Sequence, residues 1–196
     1  RAKLDLFKQR IQEYESLFDE STVFLVRTQG VGYTKAEEMV NHGVTGPNVR
    51  AAGVDYDVRW AHPYSVYSEL DWAPAVERSS VKGADCYDRY RVRVTEMVES
   101  ANMVLEALER MPGGAETHYE PGDPAIIAKA PSRAPEGTFG SHHFEDSRGE
   151  SMFHIVGGGD GRGKNPYRVS IRSPMFITIP YASKCMIGYK VADIPA

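Results

Sequence analysis

From Tyr90 to Leu108 apolar side chains return at three- and four-residue spacing. Tyr90, Val94, Met97, Val98, Ala101, Val104, Leu105 and Leu108 form one continuous stripe. That period marks an amphipathic helix, and nothing else in the chain limits its fold as strongly. Asp85 is placed to cap the helix, and Met111-Pro112-Gly113-Gly114 to end it. Its first turns hold Asp85-Cys86-Tyr87-Asp88-Arg89-Tyr90, then Arg93, then Glu96-Met97. A simple amphipathic helix does not need such a density of directional polar groups. Acids near the start favour the helix dipole. Asp85 with Arg89, and Arg89 with Arg93, stand four apart and share a face. We read Asp85, Asp88, Arg89 and Arg93 as a charged network that fixes the helix start against the segment before it.

The other elements follow from local pattern. Leu4, Phe7, Ile11, Tyr14 and Phe18 predict an amphipathic helix over residues 2–18. Residues 21–29, with Val23-Phe24-Leu25-Val26, read as extended. Thr34-Lys35-Ala36-Glu37 fits a capping box opening a short helix that stops at Gly43. Residues 44–84 lack a clear period and read as a long ordered loop, a feature uncommon in compact domains unless functional. Residues 112–137 are a Pro-, Gly- and Ala-rich loop or crossover. Met152–Val156 and Tyr167–Ile171 read as two strands joined by a glycine-rich turn, and Pro180 leads into a last short helix near 181–190. The expected class is α+β: mainly helical, with one long central helix and a small antiparallel hairpin near the C-terminal end.

Bulk properties narrow the function. The net charge of −4 and the scattered basic residues argue against a nucleic-acid binder. No run of about 18 apolar residues is present to span a bilayer. Cys86 and Cys185 are far apart and form no C-x-x-C pair, which argues against a disulfide framework. The chain opens on Arg1 and stops soon after Asp193-Ile194-Pro195. It is expected to be one domain's internal fragment of a longer protein, leaving apolar surface uncovered.

Two motifs are decoys. Gly158–Lys164 fits G-x-x-x-x-G-K, but Asn165 stands where a phosphate loop needs Ser or Thr. Pro166 and an alternating strand then follow where a helix is needed. His142-His143, with His118 and His154, lack the spacing of metal ligands and read as exposed loop histidines; no metal is assigned.

Three polar stretches remain. Asp55, Asp57 and Arg59 alternate; a paired acid site is one reading, and a buried ion-pair set with Arg50 and Arg59 the favoured one. Glu145-Asp146-Ser147-Arg148-Gly149-Glu150 is charged, and its glycine permits close backbone approach. Arg168 and Arg172 lie on one strand face, either solvated or meeting an acidic partner or anionic site.

The ordered succession of these motifs resembles the 49-kDa-like, quinone-site subunit of respiratory complex I, which is related to nickel–iron hydrogenase large subunits. The resemblance runs through Thr45-Gly46-Pro47, Arg50, Gly53, Asp57-Val58-Arg59, Pro63-Tyr64 and Tyr67. It continues through the 85–93 run, Arg148-Gly149-Glu150, Pro166-Tyr167-Arg168, Ile171-Arg172-Ser173-Pro174, Gly188 and Ala192-Asp193. It implies a hydrogenase-large-subunit-like fold and a role in an NAD(P)H:quinone oxidoreductase coupled to ion translocation. Quinone is then the substrate. A [4Fe-4S] cluster sits in the neighbouring iron–sulfur subunit and NAD(H) in a distant one. The fragment itself binds no cofactor, and lies peripherally on the cytoplasmic side of the membrane with the membrane arm an indirect partner.

The family's Glu-Ala-Pro-Lys/Arg-Gly-Glu motif maps onto Glu145, Arg148, Gly149 and Glu150, which become the cavity candidates. Arg50, Asp57, Arg59, Asp85, Asp88, Arg89, Arg93, Arg168 and Arg172 become structural motif residues. Asp146-Ser147 departs from Ala-Pro, and Ala51-Ala52 from Arg-Gly. The residues expected to hold the quinone headgroup lie upstream, so no catalytic residue is assigned. The alternatives are an energy-converting hydrogenase or a ferredoxin- or F420-linked relative, and a non-catalytic scaffold docking the iron–sulfur subunit.

Overall fold

The computed structural model describes residues 1–76, 83–111, 134–159 and 165–194. The chain is α+β. Helix α1 (Ala2–Asp19) runs into α2 (Thr22–Thr28). Strand β1 (Thr34–Lys35), α3 (Ala36–Asn41), α4 (Pro47–Ala51) and α5 (Val58–Ala61) follow, with a 3-10 turn at Tyr67–Glu69. Strand β2 (Gly83–Ala84) leads into the 25-residue α6 (Cys86–Arg110). Strands β3 (Phe139–Asp146), β4 (Gly149–Val156) and β5 (Arg168–Arg172) precede α7 (Met175–Cys185) and a 3-10 turn at Val191–Asp193.

Helix α6 begins where the sequence places its cap. The Asp85 carboxylate accepts from the Asp88 amide at 2.9 Å, and Asp88 accepts from the Asp85 amide at 3.0 Å. This reciprocal box satisfies two amide donors that a helix start leaves free. Its stripe is only partly covered: Val94 and Ala101 are buried, while Met97, Val104 and Leu108 stay open to solvent. Strands β1 and β2 pair antiparallel, Thr34 with Ala84, and tie α3 to the start of α6. The core forms there from small and branched side chains, among them Met39, Val49, Ala51, Ala52, Ala84 and Val92, closed by Tyr181 of α7. Ala51 and Ala52 have no exposure at all, so α4 packs on its neighbours with methyl groups at the contact.

Several expectations change. Residues 22–28 form a helix rather than a strand, because Ser21 caps it: its hydroxyl accepts from the Phe24 amide. Thr34 pairs in β1 instead of capping, and α3 has no side-chain cap, though it does stop before Gly43 at φ +73°. The 44–84 region carries three short helical turns among its described residues. The hairpin is a three-stranded sheet in the order β3-β4-β5, since Phe139–Asp146 pairs along the whole of β4. His142, His143 and His154 therefore sit on strands rather than loops. The last helix starts at Met175, with Pro180 inside it rather than before it. His118, most of the 112–137 loop and part of the glycine-rich turn fall outside the described residues.

Candidate functional site

Among the described residues Arg50 is the largest of the fully buried side chains, at 1% exposure. A buried guanidinium is tolerated only when its donors are met. Here Nε and Nη2 each lie 2.7 Å from Glu96 Oε1. Nη1 lies 2.9 Å from Glu145 Oε1 and 3.1 Å from Asp57 Oδ2, and donates to the Tyr56 carbonyl at 3.0 Å. Four segments thus meet on one cation: α4, the turn into α5, α6 and β3. Asp57, fully buried, also grips Arg59 through both oxygens at 2.9 and 2.7 Å and accepts from the Arg59 amide. The Arg59 guanidinium then lies 4.7 Å from the Trp72 ring centre, a cation–π contact.

The knot holds two cations against three carboxylates. Burial works against the Arg50 charge, but Glu96, Glu145 and Asp57 outweigh it and push its pKa up. The Glu145 carboxyl is also held above the ordinary carboxylate range. Burial is the main cause there; Arg50 opposes it and the Asp57 charge adds to it. Glu145 still accepts from the Val58 amide at 3.3 Å, and its own amide donates to Tyr64 Oη at 3.1 Å.

The β3–β4 turn is bound to this knot by backbone contact. Glu145 and Glu150 face each other across the strands, and Asp146 pairs with Gly149. Gly149 sits at φ +127° against Gly46 at φ +79°. A Cβ on Gly46 would stand 2.3 Å from the Gly149 Cα, and one on Gly149 would stand 2.6 Å from Thr45 Oγ1. Neither position admits a side chain. The Thr45 hydroxyl accepts from the Glu150 amide at 3.0 Å. Glu150 in turn meets Tyr56 Oη, His143 Nδ1 and Arg172.

Glu145, Gly149, Glu150, Arg50, Asp57, Arg59 and Arg172 thus come together in one assembly. Arg172 points inward, donating to the carbonyls of Glu150 and Gly43, whereas Arg168 is exposed on the edge strand. Asp55 is exposed and outside the ion-pair set. Arg148 stands at the exposed turn, with Nη1 3.7 Å from Met175 Sδ. Asp85 and Asp88 are capping groups. Arg89 donates to the carbonyls of Ala84 and Gly32, and Arg93 to Asn48 Oδ1 and the Arg89 carbonyl. Glu96, named in the polar run of the helix but not as a partner of Arg50, joins the knot. Its signal is position: it lies one turn beyond buried Val92, on the same side of α6.

A second feature is a cavity of about 200 Å³ between α3, the start of α6 and α7. Met39, Cys86, Arg89, Thr178, Tyr181 and Cys185 line it. Both thiols are free. Among the described residues no group of three or more His, Cys, Asp or Glu is placed to hold a metal ion. No described helix is long and apolar enough to cross a membrane.

Comparison with known proteins agrees with this architecture. The family model for the respiratory-chain NADH dehydrogenase 49 kDa subunit matches residues 1–196. One NADH-quinone oxidoreductase subunit, from Flavobacterium johnsoniae, is 39% identical over 97% of this chain and 50% of its own length. An F420H2 dehydrogenase subunit from Methanosarcina mazei is 36% identical over 97% of this chain and 48% of its own. Among solved structures, a chain of the membrane-bound sulfane sulfur reductase, an archaeal respiratory membrane complex, superposes with a TM-score of 0.83. It is 29% identical, covering all of this chain and 50% of that one. The chain spans about half the length of the curated relatives it matches, and it belongs to the family of the respiratory-chain NADH dehydrogenase 49 kDa subunit.

Proposed function

We propose that these 196 residues are part of a single domain that helps wall the quinone-reduction cavity of an NADH:quinone oxidoreductase coupled to ion translocation. The observation that carries this reading is the Arg50 knot. It clamps the Glu145–Glu150 turn to the Thr45–Gly46 loop and to α6, leaving Arg148 as the open cation at the tip. A site on a rigid, over-determined turn keeps its charge in place, which is what an electron-accepting cavity requires of its wall. Glu145, Gly149 and Glu150 are positioning residues here, and Arg148 is the group offered to the cavity.

The reaction needs electrons from the [4Fe-4S] cluster of the neighbouring subunit, with NAD(H) bound in a distant one. This chain supplies shape, charge and exclusion of water, and the cofactors supply the redox chemistry. The complex would carry this subunit on the cytoplasmic side of its membrane. The likeness to an F420H2 dehydrogenase subunit favours a second reading of the donor alone, in which a reduced deazaflavin replaces NADH.

The test is Arg148→Ala in the whole subunit within its complex. Assembly is expected to stay normal while quinone reduction falls on the order of a hundredfold or more, as for loss of one placed electrostatic group. Normal assembly with unchanged quinone reduction would remove Arg148 from the cavity and favour a scaffold that only docks the iron–sulfur subunit.

A further inference from the structure

The acids of the β3–β4 turn are all engaged away from Arg148. Glu145 meets Arg50. Glu150 meets Tyr56, His143 and Arg172. Asp146 Oδ1 accepts from the Ser147 amide at 2.7 Å. Among the described residues the Arg148 side chain makes one hydrogen bond, from Nη1 to Met175 Sδ at 3.7 Å. Its charge is still felt by its neighbours. Desolvation by the surrounding protein pulls the Arg93 pKa down, and the cations of Arg89 and Arg148 add to the fall.

Met175 stands on the same support as the turn. It is the half-buried first residue of α7, directly after Pro174, which is fully buried. Two residues before Pro174, Arg172 donates to the carbonyls of Glu150 and Gly43. That ties the entry to α7 to the hairpin that carries Arg148. The hairpin turn is itself fixed by the close approach of Gly149 to Thr45 and Gly46. Sulfur and guanidinium therefore sit on one rigid junction. A thioether is a weak acceptor and carries no charge. It orders a guanidinium without neutralising it. A carboxylate in the same place would hold the cation harder and cancel its field.

We propose that Met175 is a positioning residue for Arg148: its thioether aims the guanidinium and leaves the charge undiminished for the quinone. This rests on the quinone reading of Arg148. A quinone is neutral when it binds and gains negative charge as it is reduced. A cation aimed at it acts on the transition state more than on the bound substrate, so its effect falls on kcat rather than on KM. Position 175 has to supply an acceptor without charge.

The experiment compares Met175→Glu, Met175→Leu and Met175→Gln with the parent in the whole subunit within its complex, each also in an Arg148→Ala background. Quinone reduction is followed as kcat and KM, with assembly measured alongside. Met175→Glu is expected to lower kcat about as far as Arg148→Ala does, on the order of a hundredfold. Met175→Leu keeps the volume and removes the acceptor, and it lowers kcat roughly twofold to tenfold, as for one weak hydrogen bond. Met175→Gln restores a neutral acceptor and stays nearer the parent than Met175→Leu does. KM hardly moves, and in the Arg148→Ala background none of the three changes the rate further. A parent-like kcat for Met175→Glu beside a slow Arg148→Ala would overturn the positioning role and leave Arg148 in the cavity. Losses that persist without Arg148 would overturn it too, since Met175 would then act through packing. An Arg148→Ala complex as fast as the parent would remove the quinone reading and the role of Met175 together. Where Met175→Glu does not assemble, the other two variants decide: Met175→Gln no faster than Met175→Leu overturns the role.

Discussion

Two arginine sites at α6 solve the same problem differently. Arg50 is enclosed, and three carboxylates and a carbonyl meet it. Arg89 and Arg93 line the open groove between α1, α2 and α6, and uncharged groups meet them. The first site is electrostatically complete within these residues. The second holds positive charge in place without neutralising it. The contrast separates a cation met by carboxylates from cations held by neutral oxygens and a sulfur.

Substitutions in the whole subunit sharpen that contrast, read as shifts in urea unfolding free energy. Arg50→Met has the largest effect, about 3–5 kcal/mol, because it strands Glu145 as a buried charge without its cation and leaves Asp57 with Arg59 alone. Arg89→Met follows at about 1.5–3 kcal/mol, the range for losing hydrogen bonds from a charged donor. If it matched Arg50→Met, the two sites would not differ in kind.

Glu145→Gln is smaller and depends on pH. A carboxyl whose pKa is raised on folding adds stability below its unfolded pKa and loses it as pH rises through the folded value. The stability difference between Glu145→Gln and its parent therefore moves in favour of the variant as pH climbs out of the ordinary glutamate range. A difference that stays flat with pH would contradict the raised carboxyl. Arg93→Met is the mildest, within about 0.5 kcal/mol, because both of its hydrogen bonds are exposed. A loss as large as that of Arg89→Met would contradict this order.

The sequence disclosed these two sites unequally. Helix α6 was legible to within a residue at its start, because capping is local chemistry and Asp85 and Asp88 lie three apart. Arg50 with Asp57 and Arg59 was readable as an ion-pair set from crowding alone. That Glu96 and Glu145 complete it was not, because they come from 46 and 95 residues away and no local period records such a meeting. The strand Phe139–Asp146 was missed for a related reason: its histidines and acids are mostly exposed, so it lacks the apolar alternation that marks a half-buried strand. Residues 22–28 misled through β-favouring Val and Phe, where a serine cap and packing of Phe24 on Tyr87 and Tyr90 decide for helix. The groove is invisible locally, since an exposed apolar stripe and a buried one read alike.

The contact between Gly46 and Gly149 has a consequence for heredity. Gly46 is held by its positive φ and by the backbone of Arg148 and Gly149, and Gly149 by its positive φ and by the hydroxyl and carbonyl of Thr45. A side chain gained at either position cannot be accommodated by shrinking a neighbour, because backbone atoms that no substitution removes stand within 2.8 Å of the added carbon. Compensating mutations at the pair are closed off, and any escape must reshape a whole loop at once. Lineages carrying this subunit would keep both codons or lose the junction between the two halves of the knot.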